Sequence, residues 1–347
     1  MKDHKPLFPD LAPPTEPPVP DLSPEARRKE AIYLATHETD DLVNHGTGPV
    51  THAFEIVKRV LLGAWNDGFI HAGNLAYMAM LAIFPFFILG AATLSLVGEE
   101  SERTAAINAV AFALPPVVAN VIAPVARDVV EARTGWLLWA GAFAGLWTVG
   151  SLVETIRDIL RRAYGTRPTR SFWHYRALSS GIIMAAVVLL MVSLIAQVMI
   201  GTAQEVIEAR LPQLSDAAAN LSLSRLVPTV GLYGSLYLLF YTLTPARYRR
   251  RQYPKWPGAM LVTAWWLAAA SMLPPLLHSV FAYDLTYGSL AGMMIALFFF
   301  WLVGLGMVMG AELNAALAET PEEREMRRRS GESGTQSPIR NEGESSA

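Results

Sequence analysis

Four groups of polar residues interrupt the apolar stretches of this 347-residue chain, and they bound the chemistry open to it. In DGFIHAGNLAYMAMLAIFPFF, His71, Asn74 and Met78 share one helical face with Tyr77 beside them, ahead of Pro85, which frees a backbone carbonyl. Such groups either hydrogen-bond between helices or touch a passing solute. In LVETIRDILRRAYG, Glu154/Asp158 and Arg157/Arg161 stand four residues apart. Acid and base there form either a solvated charged face or paired groups where a helix leaves the bilayer. In GLGMVMGAELNAAL, Gly306 and Gly310 let a neighbouring helix approach closely. Glu312 and Asn314 follow them, suited to holding a cation or proton or to sitting among headgroups. The fourth group, Tyr248, Tyr253 and Trp256, flanks a run of five cations and reads as an interfacial aromatic belt or a headgroup site.

Much chemistry is excluded. The chain has no cysteine, so disulfides, thiolate nucleophiles and Cys-ligated metals are absent. Its seven histidines form no H-E-x-x-H or comparable cluster, and neither a phosphate loop nor a G-x-S-x-G elbow occurs. We therefore expect no cofactor, no metal site and no enzymatic activity. The basic residues suggest nucleic acid, but with no recognition helix or RNA-binding signature none is expected as a partner.

The elements that must position these groups are membrane helices. Hydrophobic residues make up 52% of the chain and charged ones 17%, with a mean hydropathy of +0.30. Six windows are long and apolar enough to span a bilayer: about Asn74 to Val97, Gly135 to Val153, Ala177 to Gly201, Leu226 to Leu243, Gly258 to Val280 and Ser289 to Leu313. Thr104 to Ala126 is also apolar, but Pro115, Pro116 and Pro124 break its hydrogen bonding, so it is expected as broken helices or a re-entrant segment. Before the first span, Val50, Phe54, Val57, Leu61, Ala64 and Trp65 line one face opposite Glu55, Lys58, Arg59 and Asp67, the pattern of an interfacial amphipathic helix. Residues 1–49 form a proline-rich tail with a short helix announced by Ser23-Pro24-Glu25, residues 50–318 form the membrane domain, and 319–347 read as a disordered tail.

Charge sets the topology. Residues 154–176 carry six arginines, and LTPARYRRRQYPKWPGAM carries Arg247, Arg249, Arg250, Arg251 and Lys255. Both loops follow even-numbered spans, whereas the opposite loops are acidic or nearly uncharged. The positive-inside bias then puts both basic loops and both termini on the cytoplasmic side. Loops 154–176 and 244–257 would meet anionic lipid headgroups there, with the bilayer itself as the main partner. No feature specifies an oligomeric state.

Three stretches carry a family resemblance: NLAYMAMLAIFPFF, YTLTPARYRRRQYPKWPGAM and YGSLAGMMIALFFFWLVGLGMVMGAELNAAL. Over roughly Phe54 to Leu317 the chain resembles the YihY/BrkB family of bacterial inner-membrane proteins. The resemblance implies six helices with cytoplasmic termini, and a role for which transport has been proposed; a ribonuclease BN label carried by the family is regarded as mistaken. It adds Tyr287 and Trp301 to the candidates, alongside Asn74, Tyr77, Glu312 and Asn314. Met78, Ala82, Leu302 and Val303 depart from the family pattern. The expectation is an all-α, six-span membrane protein that moves a small solute, ion or lipid, with a non-transporting, lipid-organising scaffold as the alternative and a membrane-bound enzyme as the third reading.

Overall fold

In the computed structural model the described residues are 23–37, 49–94, 115–131, 136–167, 173, 175–183, 185, 223–280, 291–326 and 328. They contain no strand. The helices are α1 (Pro24–His37), α2 (Pro49–Gly63), α3 (Phe69–Leu94), α4 (Pro116–Glu131), α5 (Trp136–Ala163), α6 (residues 175–183), α7 (Leu223–Leu243), α8 (Trp256–Val280), α9 (Ala291–Ala316) and α10 (residues 321–326). Four of them, α1, α2, α4 and α10, begin on proline. The first helical position wastes no hydrogen bond on a residue lacking N–H, and its φ is already helical.

Three described helices are long and apolar enough to cross a membrane: Phe69–Leu89 of α3, Trp256–Leu273 of α8, and α9. Thr229–Leu243 of α7 is a shorter apolar helix. The window from Ala177 is described only as far as residue 185, so the rest of that expected span lies outside the described residues. Helix α9 is the hub, packing against α2, α3, α4, α5 and α8. Small residues make this possible. A Cβ on Gly304 would sit 2.8 Å from the Ala72 carbonyl oxygen of α3, and one on Gly145 of α5 would sit 2.7 Å from that of Pro85. Backbone therefore lies on backbone, the contact that dispersion favours between helices in lipid.

Of the proline-rich segment Thr104 to Ala126, residues 104–114 lie outside the described residues, and the rest shows no break at Pro124. Pro115 precedes α4 and Pro116 opens it, while α4 runs unbroken through Pro124. Val118 and Ile122 are buried against α3 and α9, and this packing outweighs the hydrogen bond lost at Pro124. Helix α2 behaves as its pattern suggests: Phe54, Val57, Leu61 and Trp65 form an exposed apolar stripe. A π-helical turn, Ala64–Gly68, carries α2 directly into α3.

Helix α5 ends in a Schellman motif, with Thr166 N donating to the Arg161 carbonyl and Gly165 N to that of Arg162, both at 2.9 Å. Gly165 takes φ +67°, and a Cβ there would lie 2.9 Å from Ser23 Cβ. Gly165→Ala is therefore expected to cost roughly 1–2 kcal/mol from the left-handed backbone alone, with further loss from pushing α1 away. Thermal unfolding of the purified protein checks this.

Candidate functional site

The two motifs that stand apart in the sequence meet where α8 crosses α9. Asn314 is fully buried, and its Oδ1 accepts a 2.8 Å hydrogen bond from Gly258 N, one of the amides left over at the start of α8. A Cβ on Gly310 would fall 3.0 Å from the Gly258 carbonyl oxygen and 2.5 Å from Val262, so both glycines are required by the crossing. Asn314 Nδ2 is shielded from solvent and has no acceptor among the described residues. Two residues earlier, the Glu312 carboxylate lies across Gly63 of α2, its Cδ 2.6 Å from where a Cβ would be. Asn314 and Glu312 thus serve different neighbours, α8 and α2.

Other candidates fall elsewhere. Trp301 stacks on Phe69 of α3, ring centroids 5.7 Å apart, and on Phe298 at 6.0 Å. Trp265 of α8 donates to the Leu302 carbonyl at 2.7 Å. Asn74 and Tyr77 do not face the bundle interior: both are exposed, Tyr77 to 56%. Helical periodicity puts them on a common side, but the side that packs is the one holding Ala72, Leu75, Ala76 and Ala82. Tyr287 lies outside the described residues.

Glu154 and Arg157 come together through a three-residue spacing, with Arg157 Nη1 donating to Glu154 Oε1. Ser179 of α6 donates to the same oxygen at 2.5 Å. Arg157 is 3% exposed, so this is not the solvated face that the sequence pattern allows. That description fits the neighbouring exposed pair Arg162–Asp158, at 3.0 Å.

A third assembly, missed as a unit by sequence reasoning, closes the basic end of the bundle. Arg27 of α1 donates to the carbonyls of Ala315, Ala316 and Ala318 at 3.0–3.3 Å, where α9 ends, and Ala315 also accepts from Ala318 N at 3.1 Å. Its Nε lies 2.9 Å from Glu323 of α10, and Arg28 pairs with Glu322 at 2.8 Å. Burial draws the Arg27 pKa down, and the Glu323 charge opposes this. Glu25 of α1 accepts from Tyr248 Oη at 2.9 Å and from Arg247 Nη1 at 3.3 Å. Tyr164, after α5, stacks against Tyr248 at 5.0 Å. So α1 touches the trailing ends of α5, α7 and α9 at once.

This cap corrects two expectations. Residues 320–326 are ordered, held by a capping box in which Thr320 N donates to Glu323 Oε2 at 2.8 Å. The T-P-E-E spacing is the signal available in the sequence. The tyrosines of the second basic stretch are not an interfacial belt either: Tyr248 and Tyr253 are buried, and only Trp256 is exposed. Lys255 is buried too, donating to the carbonyls of Arg249, Arg250 and Tyr253 at 2.7–2.9 Å. Burial, with Arg249 nearby, pushes its pKa down to about 8. Arg250 and Arg251 remain exposed.

Residues 64–333, which include the glycine crossing and the partners of α1 but not α1 itself, match the model of a family described as virulence factor BrkB. The chain belongs to that family. Of the three motifs that carry the resemblance in sequence, the second and third build the α8–α9 crossing, and the first lies in α3. A Bacillus subtilis (strain 168) protein named putative ribonuclease-like protein YfkH is 27% identical over 258 residues, covering 73% of this BrkB chain and 90% of that protein. No solved structure matches.

Proposed function

We propose that this BrkB protein is a permeation or transport protein of the bacterial inner membrane, acting on a small solute, ion or lipid. One observation carries the reading: a fully buried asparagine whose amide nitrogen has no acceptor among the described residues, two positions after a carboxylate that faces another helix, on the helix at the centre of an apolar bundle. Polar groups of this kind are costly beside lipid and mark solute or proton routes. The charge distribution supports orientation with the α1 cap in the cytoplasm, because both arginine-rich connectors lie at that end. The cap would then cover the inner ends of the helices.

Glu312→Gln keeps the side chain's size against Gly63 while removing its charge. Proteoliposomes containing the variant should move protons, monovalent ions or labelled lipid at least about tenfold more slowly than wild type, a difference of about 1.4 kcal/mol in barrier. Thermal stability should change little. Equal rates, or wild-type rates no higher than in protein-free liposomes, would remove the transport reading.

A second reading, a membrane scaffold, is favoured by Asn74 and Tyr77, which turn polar groups to the outside of α3. The name of the Bacillus relative invites a test for RNA cleavage, and we expect none from BrkB purified free of contaminating nuclease.

A further inference from the structure

We propose that Arg157 and Arg161, gathered around Tyr175, bind a phosphate-type oxyanion where α5 meets α6. The two arginines stand one turn apart on α5. Their guanidinium carbons lie 5.1 and 4.2 Å from the centroid of the Tyr175 ring, so both cations share one aromatic neighbour. Arg176 brings a third guanidinium to the same junction, 4.0 Å from the Trp147 ring.

The local charge does not balance. Arg157 Nη1 is taken by Glu154 and by the Tyr175 carbonyl at 3.5 Å. Arg176 donates to the Trp147 carbonyl and to Ser151 Oγ, the latter at 3.2 Å. Among the described residues Glu154 is the single carboxylate here, and it also accepts from Ser179. Asp158 points away into its pair with Arg162. Three cations therefore face one anion.

Two donors are also left over. Nη2 of Arg157 and Nη2 of Arg161 have no acceptor among the described residues, and both are closed off from solvent. A buried guanidinium without its full set of acceptors is strongly disfavoured unless a counter-ion completes it. Two planar donors beside an aromatic ring suit the oxygens of a phosphate better than a spherical ion. Arg161 is only partly buried, so turning its guanidinium off the ring opens the approach. The oxyanion is either free phosphate or a phospholipid headgroup at the membrane edge. This proposal stands independently of whether the protein transports anything.

The test uses the full chain, delipidated in neutral detergent and followed by thermal unfolding. Inorganic phosphate is added at constant ionic strength against chloride, and separately the protein is reconstituted in phosphatidylcholine vesicles with or without phosphatidylglycerol. Near saturation, wild type and the control Arg162→Gln should gain roughly 3–8 °C. Arg161→Gln should lose most of that gain, and Arg161→Lys, which keeps charge without the planar fork, should lose part of it. A gain from phosphate identifies the free ion, and a gain confined to phosphatidylglycerol identifies the headgroup. An equal gain from chloride, no gain from either probe, or full gains in both Arg161 variants would overturn the site.

Discussion

Arg27→Ala should be the most destabilising single substitution at the basic end of the molecule, costing about 3–5 kcal/mol. Arg27 is 8% exposed and satisfies three carbonyls at the end of α9 while pairing with Glu323. Removing it takes the arginine donor from the Ala316 and Ala318 carbonyls, while Ala315 keeps its bond from Ala318 N, and leaves a carboxylate with side-chain exposure of only 17% beside the gap. Because Arg27–Glu323 is one of the two ion pairs that tie α10 to α1 among the described residues, its loss should release α10 before the bundle unfolds. Limited trypsin digestion should cut after Arg324 much faster in the variant, with the apolar helices still protected. Arg27→Lys should rescue only part of this, since an ammonium that takes up the carbonyls of α9 has no further nitrogen to place beside Glu323, as Arg27 does with Nε. Cleavage rates matching wild type would show that α10 is held by something else.

The second large effect is expected at Gly258. Gly258→Ala places a methyl group against the Gly310 carbonyl and 2.6 Å from Asn314 Cγ. Neither can yield cheaply, because one is backbone and the other is fixed by its bond to Gly258 N. The helices must part, and the bond between them is lost as they do. Overpacking costs about 1–3 kcal/mol, and the stranded polar groups add about 1–3 more. Gly234→Ala on α7 is the matched control: nothing lies within 4 Å of the place its methyl group would take, so it should be neutral or slightly stabilising. Unfolding midpoints in detergent that fall equally for both variants would refute the close crossing.

Local patterns are the most legible part of the sequence. Ser23-Pro24-Glu25 marks the start of α1, and Ala26 N duly donates to Ser23 Oγ at 3.3 Å. The apolar stripe of α2 follows from hydrophobic periodicity, and α8 starts within two residues of the apolar window that marks it. What periodicity cannot supply is the identity of the neighbour. Asn74 and Asn314 look alike in sequence, each polar within an apolar helix. One is exposed and the other is buried, because α9 has helices on several sides while α3 leaves a face open. The cap is hidden for a different reason. Its charged residues lie in segments whose composition alone resembles a solvated tail, and pairings across most of the chain leave no local trace. Glu154 and Arg157 stand out in the sequence as a pair of interest, but only the packing of α6 against α5 shows that Arg157 is buried.

The grip of Arg27 on Ala315, Ala316 and Ala318 has a bearing on how the molecule is made. Its acceptors lie 288–291 positions further along the polypeptide. During synthesis α1 leaves the ribosome early and must wait, its arginines unmatched, until translation is almost complete. Docking of the two ends is then a late step of biogenesis, and a product released prematurely would expose α1 as a handle for quality-control proteases.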